Sequence, residues 1–285
     1  MTNPTEQTTV LPGQPASALD LDAYFARIGY TGPRTPTLAT LQAIITHHTQ
    51  TIPFENLNPY FRLPVKLDIA ALQNKMVHSQ RGGFCFEQNG LLRQVLLALG
   101  YQSKPLGARV MWGRPPSYMP PRTHMVQLLT LEGQPYMVDV GFGGMTPTGV
   151  LRLEPNTVQA TPHEPFRFIP EDEEYILEAL VGASWRALYR FDLTEQQPVD
   201  YELSNFWVCH HPDSHFISGI SAARVEPGRR YALRDNQFTI HHTGGSSEER
   251  RLTTVAELCE VLDTTFHITL PAEVDTDQAL QSLIG

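Results

Sequence analysis

The chain changes its periodicity at Gly100. Before it, apolar residues recur at helical spacing; after it, short β-type runs are broken repeatedly by Pro and Gly. Four helices in the first hundred residues point to a small helical bundle, and the broken runs after them to an antiparallel sheet or barrel. Asp20, Thr37 and Asp68 are N-cap residues for helices with inward faces Leu21/Tyr24/Phe25/Ile28, Leu38/Leu41/Ile44/Ile45 and Ile69/Leu72/Met76. A fourth helix follows Gly82-Gly83, carries Leu92, Val95, Leu96 and Leu99, and stops at Gly100, a natural C′ residue.

Beyond Gly100 the spacing predicts strands at Ala108–Trp112, Met125–Leu131, Tyr136–Val140, Phe166–Ile169, Tyr175–Leu180 and Trp185–Phe191, as in an antiparallel sheet or barrel. Arg114–Arg122 holds four prolines and reads as an irregular loop. Pro198–His210 reads as a helix with Pro in its first turn. Strands are expected at Phe216–Ile220, Arg230–Leu233 and Gln237–His241, and Thr254 caps a last helix with Val255, Leu258 and Leu262 inward.

Composition removes several function classes. The 285 residues carry 21 Lys and Arg against 30 Asp and Glu, a net charge of −9 with no basic stripe, so no nucleic-acid partner is expected. No apolar run approaches the roughly 18 residues of a membrane span, and the N-terminus lacks the basic and apolar regions of a secretory signal. Residues 1–18, rich in Thr, Pro and Gln, read as a flexible arm. The three cysteines, at 85, 209 and 259, form no disulfide framework, and a cytoplasmic protein with reduced thiols is expected. Cys209-His210-His211 with His215 lacks the second ligand pair of a zinc site, so no metal is expected.

Arg81-Gly82-Gly83-Phe84-Cys85-Phe86-Glu87-Gln88-Asn89 is the most informative segment. Its glycines permit a tight turn directly before a helix, which leaves Cys85 in or near the first helical turn. Free N–H groups and the positive dipole end there favour a thiolate and can stabilise an oxyanion. The placement suits a nucleophile and a buried structural thiol alike, and a nucleophile needs a base and an orienting group. If Glu132-Gly133 is a two-residue hairpin loop, Leu131 pairs with Gln134 and Asp139 lies opposite Val126. His124 is then two residues beyond, on the same face. Pro135 permits a longer loop, but any even-numbered loop keeps both residues on one face.

The sequence resembles the arylamine N-acetyltransferase family in five ordered segments. These are Pro53-Phe54-Glu55-Asn56-Leu57, Arg81 to Glu87, Thr123-His124, Val138-Asp139-Val140-Gly141-Phe142-Gly143, and Asn205-Phe206-Trp207 through His211-Pro212-Asp213-Ser214-His215-Phe216. The resemblance implies an α+β multidomain fold: an N-terminal helical bundle over 19–100, a central antiparallel β-barrel over 101–197, an interdomain helix over 198–212 and a C-terminal α/β lid over 213–285. It implies a Cys85–His124–Asp139 triad and acetyl transfer from acetyl-CoA, by way of a cysteine thioester, to an aromatic amine or hydrazine. Phe54, Phe142 and Phe206 are then walls for the acceptor; Thr123, Gly143 and Ser214 border the coenzyme A cleft; Glu55 and Arg81 brace the loop before Cys85. No single basic residue is assigned to the 3′-phosphate; Arg224, Arg229 and Arg230 are candidates by their place in the lid, and solvated surface positions are the expectation for them. Cys209 stands where the family motif usually has a small hydroxyl residue. Competing readings are an amide synthase of the same family, a transglutaminase- or papain-like thiol hydrolase, and a catalytically silent binder of aromatic ligands.

Overall fold

The computed structural model describes residues 19–115 and 117–284, so the arm expected over residues 1–18 lies outside the described residues. The expected caps form. Asp20 accepts from Ala23 N and opens α1 (Leu21–Ile28), Thr37 accepts from Thr40 N and opens α2 (Leu38–Thr51). After the short β1 (Phe54–Glu55) and α3 (Leu57–Tyr60), Asp68 caps α4 (Ile69–Gln73), which widens into a π turn over Asn74–His78. Helix α5 is Cys85–Ala98. It ends as expected: Gly100 takes φ of 88°, and Gly100 N and Tyr101 N donate back to Leu97 O and Leu96 O. These helices share one apolar core built on Tyr24, Phe25, Leu41, Ile44, Leu91, Leu92 and Val95.

Seven strands follow: β2 (Gln102–Val110), β3 (Arg122–Leu131), β4 (Gln134–Val138), β5 (Leu151–Arg152), β6 (Phe166–Glu171), β7 (Glu174–Val181) and β8 (Ser184–Glu195). All pair antiparallel in the order β5-β4-β3-β2-β8-β7-β6. Bridges from Pro155 to Phe168 and from Gln159 to Phe166 bring the segment after β5 onto β6, so the sheet nearly closes into a barrel. Its interior is filled by Leu106, Val126, Met137, Phe166, Phe168, Leu177, Leu188 and Phe191. The β3–β4 hairpin has the expected two-residue turn. Glu132 and Gly133 both take positive φ, and Leu131 pairs with Gln134 through to Gln127 with Val138. Pro135 fits within this ladder opposite Thr130.

Helix α6 (Pro198–His210) leads to a second antiparallel sheet of β9 (Ser221–Glu226), β10 (Arg229–Arg234), β11 (Gln237–His242) and β12 (Ser247–Arg251), followed by α7 (Val255–Thr264) and α8 (Thr276–Leu280). The strand order is β1-β9-β10-β11-β12, so β1 from the helical part supplies one edge of the lid sheet. The strand expected at Phe216–Ile220 is a correction: His215–Ile217 is a 3₁₀ turn and the strand begins at Ser221. The cause is Asn56. Its amide donates to the Phe216 and Gly219 carbonyls and its oxygen accepts from Ser221 N, which satisfies this backbone without a ladder. The whole is an α+β multidomain architecture of helical part, barrel and α/β lid. Among the described residues no helix is long and apolar enough to cross a membrane.

Arg230 ties the lid to the barrel. Its guanidinium, 2% exposed, donates to both Glu164 carboxylate oxygens and to the carbonyl of Thr146 at 3.0 Å. His163 sits between the same two units, with Nδ1 3.0 Å from Thr148 Oγ1 and Nε2 2.9 Å from the Glu226 carbonyl. Glu164→Ala should leave Arg230 buried without a counter-charge and cost about 3 kcal/mol in urea unfolding. Asp22→Ala, which removes the exposed Arg34–Asp22 pair, should cost no more than about 1 kcal/mol. Equal effects of the two substitutions would refute the latch.

Candidate active site

Cys85 is the first residue of the fourteen-residue α5, where unpaired N–H groups and the helix dipole favour negative charge. The turn that delivers it is built by close approach. A Cβ on Gly82 would lie 2.1 Å from the Pro53 carbonyl oxygen, so no larger residue fits. Gly83 N donates to Pro53 O, Gly83 O accepts from Glu55 N, and the turn is thereby laid against β1. Three buried charges, Glu55, Arg81 and Glu87, and the partly exposed Lys75 lock it there. Arg81 donates to Glu55 Oε1 through Nε at 3.1 Å and Nη2 at 2.8 Å, and Lys75 donates to Glu87 Oε1 at 2.7 Å. Glu55 Oε2 accepts from Leu57 N and Glu87 Oε2 from Phe84 N. The expected Glu55–Arg81 pair is therefore present, and Lys75 and Glu87 extend it.

The structure brings Cys85, His124 and Asp139 together. His124 Nε2–H donates to Asp139 Oδ2 at 2.7 Å, with both side chains buried. Nδ1 is the ring nitrogen turned away from the carboxylate, and Cys85 is close enough to act on the ring's charge. The thiol also lies 3.4 Å from the Thr123 carbonyl. Burial opposes a charge on His124, but the Asp139 carboxylate, with help from Cys85, outweighs it and raises the imidazolium pKa to about 10. Asp139 in turn is held by Asn89 Nδ2 and Gly141 N, each 2.9 Å from Oδ1. Such support from the surroundings fixes both tautomer and ring plane.

Asn89, Gly141 and Tyr189 belong to this site and were not picked out by sequence reasoning. Asn89 had a signal: it lies one turn after Cys85 on the same helix face. Gly141 packs so tightly on α5 that a Cβ there would stand 2.7 Å from Cys85 Cα. The Tyr189 ring is 4.9 Å from that of His124, centroid to centroid, and burial, reinforced by the Asp139 charge, drives its pKa far up. Its position 50 residues downstream of Asp139 gave no local cue.

The expected binding residues divide. Phe142 stands edge-on to His124 at 5.3 Å. Phe54 packs with Phe216, which also meets Phe84. Phe206 is not brought to this cluster: it is 65% exposed and stacks on His210. Its neighbour Trp207, about 100° around the helix, packs against the Cys85 cluster instead and stacks on His211. Gly143, with φ of 87°, passes 3.5 Å from the Phe54 ring at its Cβ position. The Ser214 hydroxyl donates to Val208 O and accepts from Phe216 N, so local backbone occupies it. Arg224 and Arg230 are neither surface nor free. Arg224 is buried and donates to Thr265 O, Gln50 O and Glu226, while Arg229 pairs with Glu226 at the surface. Cys209 is buried beside the same cluster, and burial, with the Glu87 charge adding to it, pushes its thiol up to about 12.

An N-acetyltransferase family model matches residues 37–274. Arylamine N-acetyltransferase of Mycobacterium tuberculosis is 41% identical over 271 residues, spanning 94% of this chain and 95% of the relative. That of Escherichia coli is 40% identical over 86% of this chain and 88% of its own length. The solved Mycobacterium marinum arylamine N-acetyltransferase in complex with CoA superposes with a TM-score of 0.89 at 40% identity, over 93% of this chain and 98% of that one. On sequence, fold and length together, the chain belongs to the arylamine N-acetyltransferase family.

Proposed function

We propose that this chain moves an acetyl group from acetyl-CoA to the nitrogen of an aromatic amine or hydrazine, by way of a thioester on Cys85. The observation that carries the reading is the buried His124–Asp139 hydrogen bond beside Cys85, which opens α5. The CoA complex of the Mycobacterium marinum relative supports the choice of donor.

In the first half-reaction the Cys85 thiolate attacks the acetyl carbonyl carbon of acetyl-CoA. The Cys85 S–C bond forms, the C–S bond to coenzyme A breaks, and the His124 imidazolium protonates the departing thiolate. In the second half the amine nitrogen attacks the thioester. As the N–C bond forms and the S–C bond breaks, neutral His124 takes the amine proton, which restores the thiolate–imidazolium pair. Asp139 holds the Nε2–H and stabilises the ring's charge. Phe54 and Phe142, joined by Phe216 and Trp207, are the aromatic walls for the acceptor; Phe206 is withdrawn from that set. Thr123 and Gly143 remain on the coenzyme A side through their backbone. The same reading divides the chain near residues 100, 197 and 212 and sets it in a reducing, cytoplasmic environment.

Mixing the protein with acetyl-CoA should add one acetyl group to the intact mass, mapped to Cys85 and absent in Cys85→Ser. A wild-type chain that never acquires the adduct speaks for a thiol hydrolase or an amide synthase instead, and arylamine acetylation without it would overturn the thioester route.

Iodoacetamide should label Cys85 first. Burial raises the pKa values of both Cys209 and Cys259 and keeps those thiols protonated at neutral pH. Labelling of all three at one rate would remove Cys85 as nucleophile.

Asp139→Asn should lower turnover by about 10²–10⁴-fold, as loss of the acid does in serine triads. Stability should follow the His124 proton. Its folded pKa, about 10, lies above the unfolded value near 6.5, so the ion pair's contribution is complete below pH about 6.5 and vanishes as pH rises through about 10. Melting curves should therefore separate wild type from Asp139→Asn widely at pH 6 and narrowly at pH 10.5. A pH-independent gap would mean that Asp139 only satisfies backbone groups.

A further inference from the structure

Behind the nucleophile runs a buried polar chain that the acyl transfer does not touch. Tyr24 of α1, His48 of α2 and Gln88 of α5 are each 0% exposed. Tyr24 Oη lies 2.8 Å from His48 Nδ1, His48 Nε2 lies 2.7 Å from Gln88 Oε1, and Gln88 Nε2 donates to the Pro53 carbonyl at 2.8 Å. That carbonyl also accepts from Gly83 N, two residues before Cys85. Gln88 itself lies one helical turn beyond Cys85.

The proton directions are fixed by elimination. The Gln88 amide nitrogen donates to Pro53, so its oxygen faces His48 and can only accept. His48 Nε2 therefore carries the proton, Nδ1 is bare, and the Tyr24 hydroxyl donates to it. Every group is satisfied only with a neutral ring. Burial lowers the His48 pKa to about 4, and the nearby Arg27 charge of α1 works in the same direction against the Gln88 hydrogen bond. An apolar filling of this space would serve stability as well, because buried polar networks gain little over packed hydrocarbon. What the network adds is direction: it ties α1 and α2 to the two backbone points, Pro53 O and the first turns of α5, that set where Cys85 stands.

We propose that His48 is a positioning residue for acyl transfer, holding the Cys85 turn at its working distance from His124 through Gln88 and Pro53. This rests on Cys85 being the acyl carrier. The test uses the full chain with His48→Gln, His48→Asn and His48→Leu. Gln can accept from Tyr24 and donate to Gln88; Asn, one methylene shorter, cannot span both, and Leu offers neither bond. Single-turnover acetylation of Cys85 should fall about tenfold in His48→Asn and His48→Leu, the scale of a small misplacement of a reacting group, with KM for acetyl-CoA unchanged. His48→Gln should stay within about twofold of wild type, since it keeps both hydrogen bonds. Iodoacetamide labelling of the buried Cys209 should not rise in any of them. Should His48→Leu fail to fold, His48→Asn alone carries the comparison. Wild-type rates in His48→Asn, an equal loss in His48→Gln, or faster Cys209 labelling would overturn the proposal. Absence of acetylation in the wild-type chain would instead strike the acyl-carrier reading.

Discussion

The placement of Cys85 depends on a cluster of four charges beside Gly82-Gly83, three of them buried and Lys75 reaching in from the surface. Glu55, Arg81, Lys75 and Glu87 are two acids and two bases, and each carboxylate gives its second oxygen to a backbone N–H. The acids are not equivalent. Burial opposes the charge on Glu55, but Arg81 and then Lys75 outweigh it and lower its pKa. On Glu87 burial dominates, the Glu55 charge adds to it, and the pKa rises despite Lys75. Desolvating such a cluster is costly, and its return is geometric rather than energetic. It fixes the loop from Lys75 to Phe84 relative to β1, and so sets the start of α5 before any substrate arrives.

Much of this was legible in the sequence, because local rules governed it. Asp20, Thr37, Asp68 and Thr254 cap helices as short polar residues do before apolar periodicity, and Gly100 ends α5 where a left-handed residue is needed. The His124–Asp139 contact follows from one turn: a two-residue loop at Glu132-Gly133 fixes the parity of the hairpin and hence the shared face.

The rest was decided at long range. Phe206 and Trp207 are adjacent aromatic residues on α6, and only packing against the Cys85 cluster selects Trp207. The strand at Ser221–Glu226 holds Arg224, whose partners Gln50 and Thr265 lie far away in the chain. The glycines before Cys85 read as turn formers, yet Gly82 is required for contact with Pro53, 29 positions earlier. Tyr189 reaches the site only through the tertiary fold, its ring brought against His124 from 65 positions further along the chain.

The pairing of β1 with β9 has a consequence for synthesis. Phe54 and Glu55 meet Ala223 and Ala222, so the strand beside the nucleophile turn keeps an open edge until the chain has grown about 170 residues further. Arg224 and Phe216, which cover the same corner, are made equally late. Because emerging chains fold from the N-terminus onward, the helical part forms around an unfinished pocket. A ribosome-bound fragment ending within the barrel would present Cys85 in an open corner rather than in a shaped cleft. The corner around Cys85 thus closes only when the lid is complete, and a truncated product keeps the β1 edge unpaired.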